Sequence, residues 1–182
     1  MNEKRLSAIF AFLLALLLIV MLAGCLDRES TAPPRRSVYW WQTTFSPNDS
    51  LVAAFIRHER IAHIYLRYFD VVMTNGEPMP NASVNVTGRV PKGVTVIPVV
   101  YITNDCMKAI GPSHTQAEDL AGKILQRVRQ MTNTLQLGPI NELQIDCDWT
   151  VTTRRTYFDF LSALRDIAHE QHLQVSTTIR FH

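Results

Sequence analysis

Glycine is scarce in this sequence and is never clustered. Seven glycines are spread over 182 residues, and none falls into a Gly-x-Gly-x-x-Gly or Gly-x-x-x-x-Gly-Lys arrangement, so neither backbone cradle for phosphate has support. Gly-x-Ser-x-Gly is missing as well, which removes the strained elbow that presents a nucleophilic serine. Cysteine is equally sparse: there are three, with no Cys-x-x-Cys pair. His58, His63 and His114 show no metal-ligand spacing, and His169 and His172 sit where histidines commonly compensate a helix dipole. Neither a metal nor a cofactor is expected. No sign of charge dominates: the formal net charge is +2, and no basic stripe marks a nucleic-acid partner.

What the chain does have is one long apolar run near its start. Lys4 and Arg5 precede residues 8–22, which are uninterrupted by charge and are followed by "LAGC" at 22–25. A basic start, about 15 apolar residues and a small-residue exit predict a secretory signal over residues 1–24. A membrane span needs about 20 apolar residues. The "LAGC" ending resembles a bacterial lipobox, which implies diacylglycerol on Cys25 and cleavage just before it. That makes the membrane a partner and places the protein in the cell envelope. Leu26 in place of aspartate is compatible with outer-membrane sorting, the domain facing the periplasm or the exterior. The alternative is an ordinary signal peptide with an incidental cysteine.

Residues 25–37 comprise the lipidated cysteine and a polar, proline-bearing tether, "DRESTAPPRRS" at 27–37. The domain then covers residues 38–182, and a hydrophobic fraction of 47% suits one globular unit. Cys106 and Cys147 fall on different elements. An exported compartment permits a disulfide, but buried free thiols are the preferred reading.

Strand and helix patterns alternate along this domain. "VYWWQTTF" (38–45) reads as a strand. Ser46 is the expected cap of a helix whose face is Leu51, Val52, Phe55 and Ile56. Residues 61–72 form a second strand, and 74–93 an irregular loop with room for a short hairpin. "VTVIPVVYITN" (94–104) is apolar on both parities, as a buried parallel strand is. Thr115 and Glu118 suggest a capping box for a helix buried through Leu120, Ile124, Val128, Met131 and Leu135. "ELQIDCDWT" (142–150) is a fourth strand, and Thr152 or Thr153 caps a helix with Tyr157, Leu161, Leu164 and Ala168 inside. "LQVSTTIRFH" (173–182) is a fifth strand.

The pattern is α/β with a parallel sheet. On the fourth strand Gln144, Asp146, Asp148 and Thr150 share one face, and on the fifth Ser176, Thr178, Arg180 and His182 do. An interior strand of an open five-stranded sheet, the alternative, has helices on both faces and is apolar on both. A barrel strand has a lumen on one side. The expectation is the N-terminal portion, about five strands, of a (β/α)8 barrel, incomplete because a whole one needs about 250 residues.

"QIDCDWT" resembles the fourth-strand motif of glycoside hydrolase family 18, Asp-x-x-Asp-x-Asp-x-Glu. Asp146, Asp148 and Trp149 match. Leu143 stands where the leading aspartate falls, and Thr150 where the catalytic glutamate does. Together with "VYWWQTTFS", "YLRYFDV", "VPKGVTVIPVVYITN" and "STTIRFH", the chain resembles an uncharacterised family of bacterial lipoproteins with a glycosidase-like barrel. The resemblance implies a carbohydrate ligand, with Asp146 and Asp148 as the catalytic candidates and Arg67, Trp149, Arg180 and His182 as substrate-binding ones. Thr150 cannot act as the acid, a role contributing about 10²–10⁴-fold. The competing reading is a non-catalytic lipoprotein with a degenerate site, its aspartates neutralised by Arg67 and Arg180. Removing one member of such a set would cost about 3–5 kcal/mol. Tyr39, Trp40 and Trp41 could stack on sugar rings or pack in the core.

Overall fold

In a computed structural model, Leu14 and residues 36–179 are described. The lipobox cysteine Cys25, the signal segment apart from Leu14, most of the tether, Arg180 and His182 lie outside the described residues. From Arg36 onward the strands are β1 Arg36–Trp40, β2 Thr44–Phe45, β3 Ile61–Thr74, β4 Glu77–Asn81, β5 Asn85–Val86, β6 Thr95–Ile102, β7 Glu142–Cys147 and β8 Gln174–Thr177. The helices are α1 Ser50–His58, α2 Asn104–Ile110, α3 His114–Leu135 and α4 Arg154–His169.

The main sheet runs β1-β3-β6-β7-β8, with all neighbours parallel, and β4 adds an antiparallel arm to the far end of β3. Thus the chain is α/β with a mostly parallel sheet, and each parallel strand lies beside the next one in sequence. Right-handed crossovers between strands in such an order lay their helices on one face of the sheet. Burial follows that rule. Leu143, Ile145 and Cys147 of β7 are buried in one cluster with Leu120, Ile124 and Val128 of α3 and Phe160 and Leu164 of α4.

Several local readings change. The strand expected over 38–45 breaks after Trp40, and Thr44–Phe45 pairs instead with Asn85–Val86 in a separate two-stranded sheet. The cap of α1 is Asp49, whose Oδ1 accepts from the amides of Leu51 and Val52; Ser46 bonds Thr87 instead. Only Ile56 of the four-residue α1 face is buried, and Leu51 and Phe55 are exposed. Ser113, not Thr115, caps α3, and Glu118 pairs with His114. Gln136, in a left-handed conformation, ends α3 before the Gly-Pro pair. Within the loop expected over 74–93, Asn75 and Gly76, both with positive φ, turn β3 into β4. Two adjacent positive-φ residues match the right-handed twist of a tight hairpin.

One irregularity shapes the site. Register along β3 and β6 runs Arg67 to Val99 and then Phe69 to Val100, so Tyr68 is an extra residue. A bulge of this kind reverses the side-chain alternation beyond it. Tyr68 is buried with its hydroxyl against Thr132 of α3, while Arg67 and Asp70 come to the same side.

Candidate functional site

The sheet face away from α3 and α4 is polar. Paired positions in a parallel ladder point the same way, so register assigns its members. Tyr39 lies beside Tyr65, Arg67 beside Val99, Tyr101 beside Asp146, and Gln144 beside Ser176. Ile97 and Val99 make the middle of this face apolar and buried.

Two hydrogen-bonded layers cross it. The lower centres on Glu142, whose Oε1 accepts from Ser176 Oγ at 2.6 Å and Tyr65 Oη at 3.4 Å. Gln144 donates through Nε2 to Ser176 Oγ at 3.4 Å. Its Oε1 is buried and meets no donor among the described residues. Burial first, and Glu142 second, push the Tyr65 phenol above its ordinary value.

The upper layer holds the two aspartates. Asp146 Oδ1 accepts from Thr178 Oγ1 on the β8 side at 2.6 Å, and Asp148 Oδ2 accepts from Tyr101 Oη on the β6 side at 2.6 Å. Strand β7 ends at Cys147, so Asp148 stands just past the C-terminal edge and reaches back to Tyr101. Burial, followed by the bond to Asp148, pushes the Tyr101 phenol far up. It therefore stays protonated and remains a donor.

Arg67 does not neutralise these carboxylates. The Asp70 carboxylate takes its Nε and Nη2 in a bidentate pair, at 2.6 Å for Nε, and Nη1 donates to the Trp41 carbonyl at 3.3 Å. The bond to Asp70 raises the Arg67 pKa above its ordinary value. The bulge is the reason: residues three apart on a regular strand face opposite ways, so only the extra residue lets them meet.

Trp149 follows Asp148 but leaves the polar face. Its ring stacks on Tyr157 at 6.1 Å and meets Phe158 edge-on at 5.9 Å, both on α4. Thr150 belongs to the turn leading into α4, where its amide donates to Thr153 Oγ1 at 2.9 Å and its hydroxyl contacts Thr152 and Thr153. The residue at the acid position of the motif is thus a turn residue, not a strand residue facing Asp146 and Asp148. Thr153 also donates to Asn104 Oδ1 at 2.5 Å, tying this turn to the start of α2.

On the opposite flank, Tyr39 and Trp41 are 45% and 41% exposed and stack at 6.1 Å with an interplanar angle of 12°. Tyr65 lies 5.0 Å from Tyr39, and the Arg67 guanidinium carbon is 5.9 Å from the Trp41 ring centre. Trp40 faces the other way and packs edge-on against Phe45 at 5.0 Å.

Sequence reasoning placed Gln144 on this face by parity and missed Tyr65, Asp70, Tyr101 and Glu142 as its members. Tyr101 carried a usable signal, being the one hydroxyl-bearing ring near the end of an otherwise apolar strand. Asp70 carried none, because the bulge is what brings it round. Cys106 and Cys147 are both buried and unbridged. Among the described residues no three His, Cys, Asp or Glu side chains form a metal-holding group, and no helix is long and apolar enough to cross a membrane.

Compared with protein-family models, curated proteins and solved structures, the chain matches none. The family 18 and lipoprotein resemblances rest on the quoted residues.

Proposed function

We propose that the protein is a lipid-anchored envelope protein that binds glycan on the polar face of a barrel-type sheet. The sequential strand order supports the barrel side of the fold question. A doubly wound sheet reverses its order at a switch point and places helices on both faces. This sheet has no reversal among the described strands. On that reading residues 36–179 form the first part of a (β/α)8 barrel, and the polar face is its lumen.

The observation that carries the function is the pair of carboxylates at the C-terminal edge of β7. Asp148 is held by the Tyr101 hydroxyl of β6 and Asp146 by the hydroxyl of Thr178 just past β8, at the end of a barrel where binding residues gather. Tyr39 and Trp41 present aromatic surface on the other flank of the same face. Carboxylates to accept sugar hydroxyls and rings to stack on sugar C–H faces are the parts a glycan site needs.

Binding is favoured over hydrolysis by the place of Thr150. Its hydroxyl serves the turn before α4, and an alcohol donates no proton to a leaving group at ordinary pH. The test is a thermal-shift titration with amino-sugar and neutral oligosaccharides. A saturable rise in melting temperature is expected, lost in Asp146→Asn while that variant still melts cooperatively. No shift with any glycan, together with an Asp146→Asn variant that fails to fold, would sink the reading in favour of a structural polar lumen.

A further inference from the structure

We infer that a cavity between the β4 arm and α3 binds a hydrophobic carboxylate, with its apolar body along α3 and its acid paired to Arg127. The cavity lies on the α3 side of the sheet and shares no residue with the polar face. It does not depend on the glycan-binding reading.

The space between β4 and α3 measures about 710 Å³, within the roughly 300–1,000 Å³ of pockets that hold small ligands. Its floor is apolar: Phe69, Val71, Ile110, Leu120 and Ile124 are each no more than 6% exposed. Pro78, Met79 and Pro80 of β4 make one wall. The other wall is a single face of α3, running from Gln116 through Leu120, Ile124 and Arg127 to Gln130. Steps of three and four residues keep these side chains on one stripe, which is roughly 20 Å long.

The charges along that wall are not evenly matched. Lys123 pairs with Asp119 at 2.7 Å, and the bond to Asp119, with Glu77 on β4 adding to it, raises the Lys123 pKa. Arg127, one turn further along, has only neutral partners among the described residues. Its Nη1 donates to Gln130 Oε1 at 3.1 Å and its Nη2 to Ser83 Oγ at 3.4 Å. Its Nε is buried and meets no acceptor. A buried donor without a partner is costly, and a guanidinium matches a carboxylate with two parallel bonds. Turning the Nε–Nη2 edge of this half-buried side chain onto an acid gives up the long Ser83 contact and satisfies Nε.

An extended peptide suits this cavity poorly. Pro78 and Pro80, opposite Met73 and Val71 on β3, have no N–H, so the free edge of β4 lacks donors that strand addition uses. A cationic head would meet Arg127 as a like charge, and a neutral alcohol brings no charge to its guanidinium. An apolar body with one acid answers both halves of the site.

The experiment is isothermal titration of the full chain with octanoate, octanol and octyltrimethylammonium, each below its micellar concentration, and with decanoate and acetate. Octanoate is expected to bind at least tenfold more tightly than octanol, and the ammonium not at all. Decanoate should bind roughly tenfold more tightly than octanoate, and acetate not measurably. Arg127→Gln should melt cooperatively and erase the preference for octanoate over octanol. Ala109→Trp, at an exposed position of the cavity rim, should block all binding. Equal binding of octanol and octanoate, binding of the ammonium, or a preference that survives in Arg127→Gln overturns the pairing with Arg127. Acetate binding as tightly as octanoate overturns the apolar half, and octanoate binding unchanged in Ala109→Trp places the ligand elsewhere and overturns the site. Binding of neither octanoate nor decanoate overturns the inference whole.

Discussion

Cys147 shows how far the interior alters a single residue. It sits at the last position of β7, buried beside the α3–α4 core, and burial, with Asp148 adding to it, pushes its thiol up to about 12 from 9.0. Burial likewise pushes the Tyr68 and Tyr157 phenols up to about 12 from 10.0. A group whose folded pKa is raised stays protonated in the native state while the unfolded chain loses its proton. The unfolded state then binds fewer protons, and stability falls as pH rises. The loss begins near pH 9 through Cys147 and Cys106 and steepens above pH 10 as the raised tyrosines join, Tyr65 and Tyr101 among them. Each such group removes about 1.4 kcal/mol per pH unit inside its window. Denaturant melts between pH 8 and pH 11 should show this fall (about those limits). Cys147→Ala should make the fall between about pH 9 and pH 10 shallower without abolishing it, because burial raises the Cys106 thiol as well. An unchanged slope in that variant would mean the Cys147 thiol is not buried as described. Neither thiol should react with a thiol reagent until the protein unfolds, since the thiolate is the nucleophile.

Among the elements, the connection from β3 to β6 is the least regular and the most tightly tied. Instead of a crossover helix it carries the β4 arm and the short β5, which pairs with β2. Ser46 and Thr87 bond at 2.7 Å, and the Arg89 amide donates to Asn48 Oδ1 at 2.7 Å. Gly88 lies between those ties with φ +107, and a Cβ there would collide with the Asn48 side-chain amide. Gly88→Ala is therefore expected to destabilise by about 1–3 kcal/mol. The same substitution at Gly122, which lies inside α3 with open space around it, should be neutral or stabilising by up to about 1 kcal/mol. Chemical denaturation of the two variants checks both expectations.

The same region marks what could and could not be read from sequence. The five parallel strands and the buried stripes of α3 and α4 were legible, because each repeats its period over enough residues to be distinctive. Helix α2, seven residues long, is too short for a period to declare itself, and its first residues look like the tail of β6. The two-residue strands β2 and β5 have no pattern at all. In the candidate site, Asp146 was legible by parity and Asp148 by position. Their partners Tyr101 and Thr178 depend on which strands are neighbours, and Arg67's partner depends on a bulge. Alternation along a strand says nothing about an inserted residue. Trp149 and Thr150 were assigned to a strand that ends earlier, because the turn into α4 is built by Thr153 and Asn104 from another part of the chain.

At the scale of the whole molecule, the anchor and the domain make separate predictions. If Cys25 carries the lipid, Cys25→Ser should release the protein from membranes into the soluble fraction, since removing acyl chains forfeits about 0.8 kcal/mol per buried methylene. The domain's thermal melt should be unchanged. Membrane association that persists in Cys25→Ser would refute lipidation as the anchor. The sequential strand order reaches further, into how the fold is made. Because every parallel neighbour in β1-β3-β6-β7-β8 is also the next strand of the main sheet in the chain, no pairing has to wait for a distant segment. Each closing loop is of modest length, and the entropy of closure grows only slowly with length. As the chain emerges from its N-terminus, β3 can dock on β1, β6 on β3 and β7 on β6, each on an edge already built. The sheet is assembled by accretion, like courses laid on a wall, and its growing edge moves steadily toward the strand beside the carboxylates.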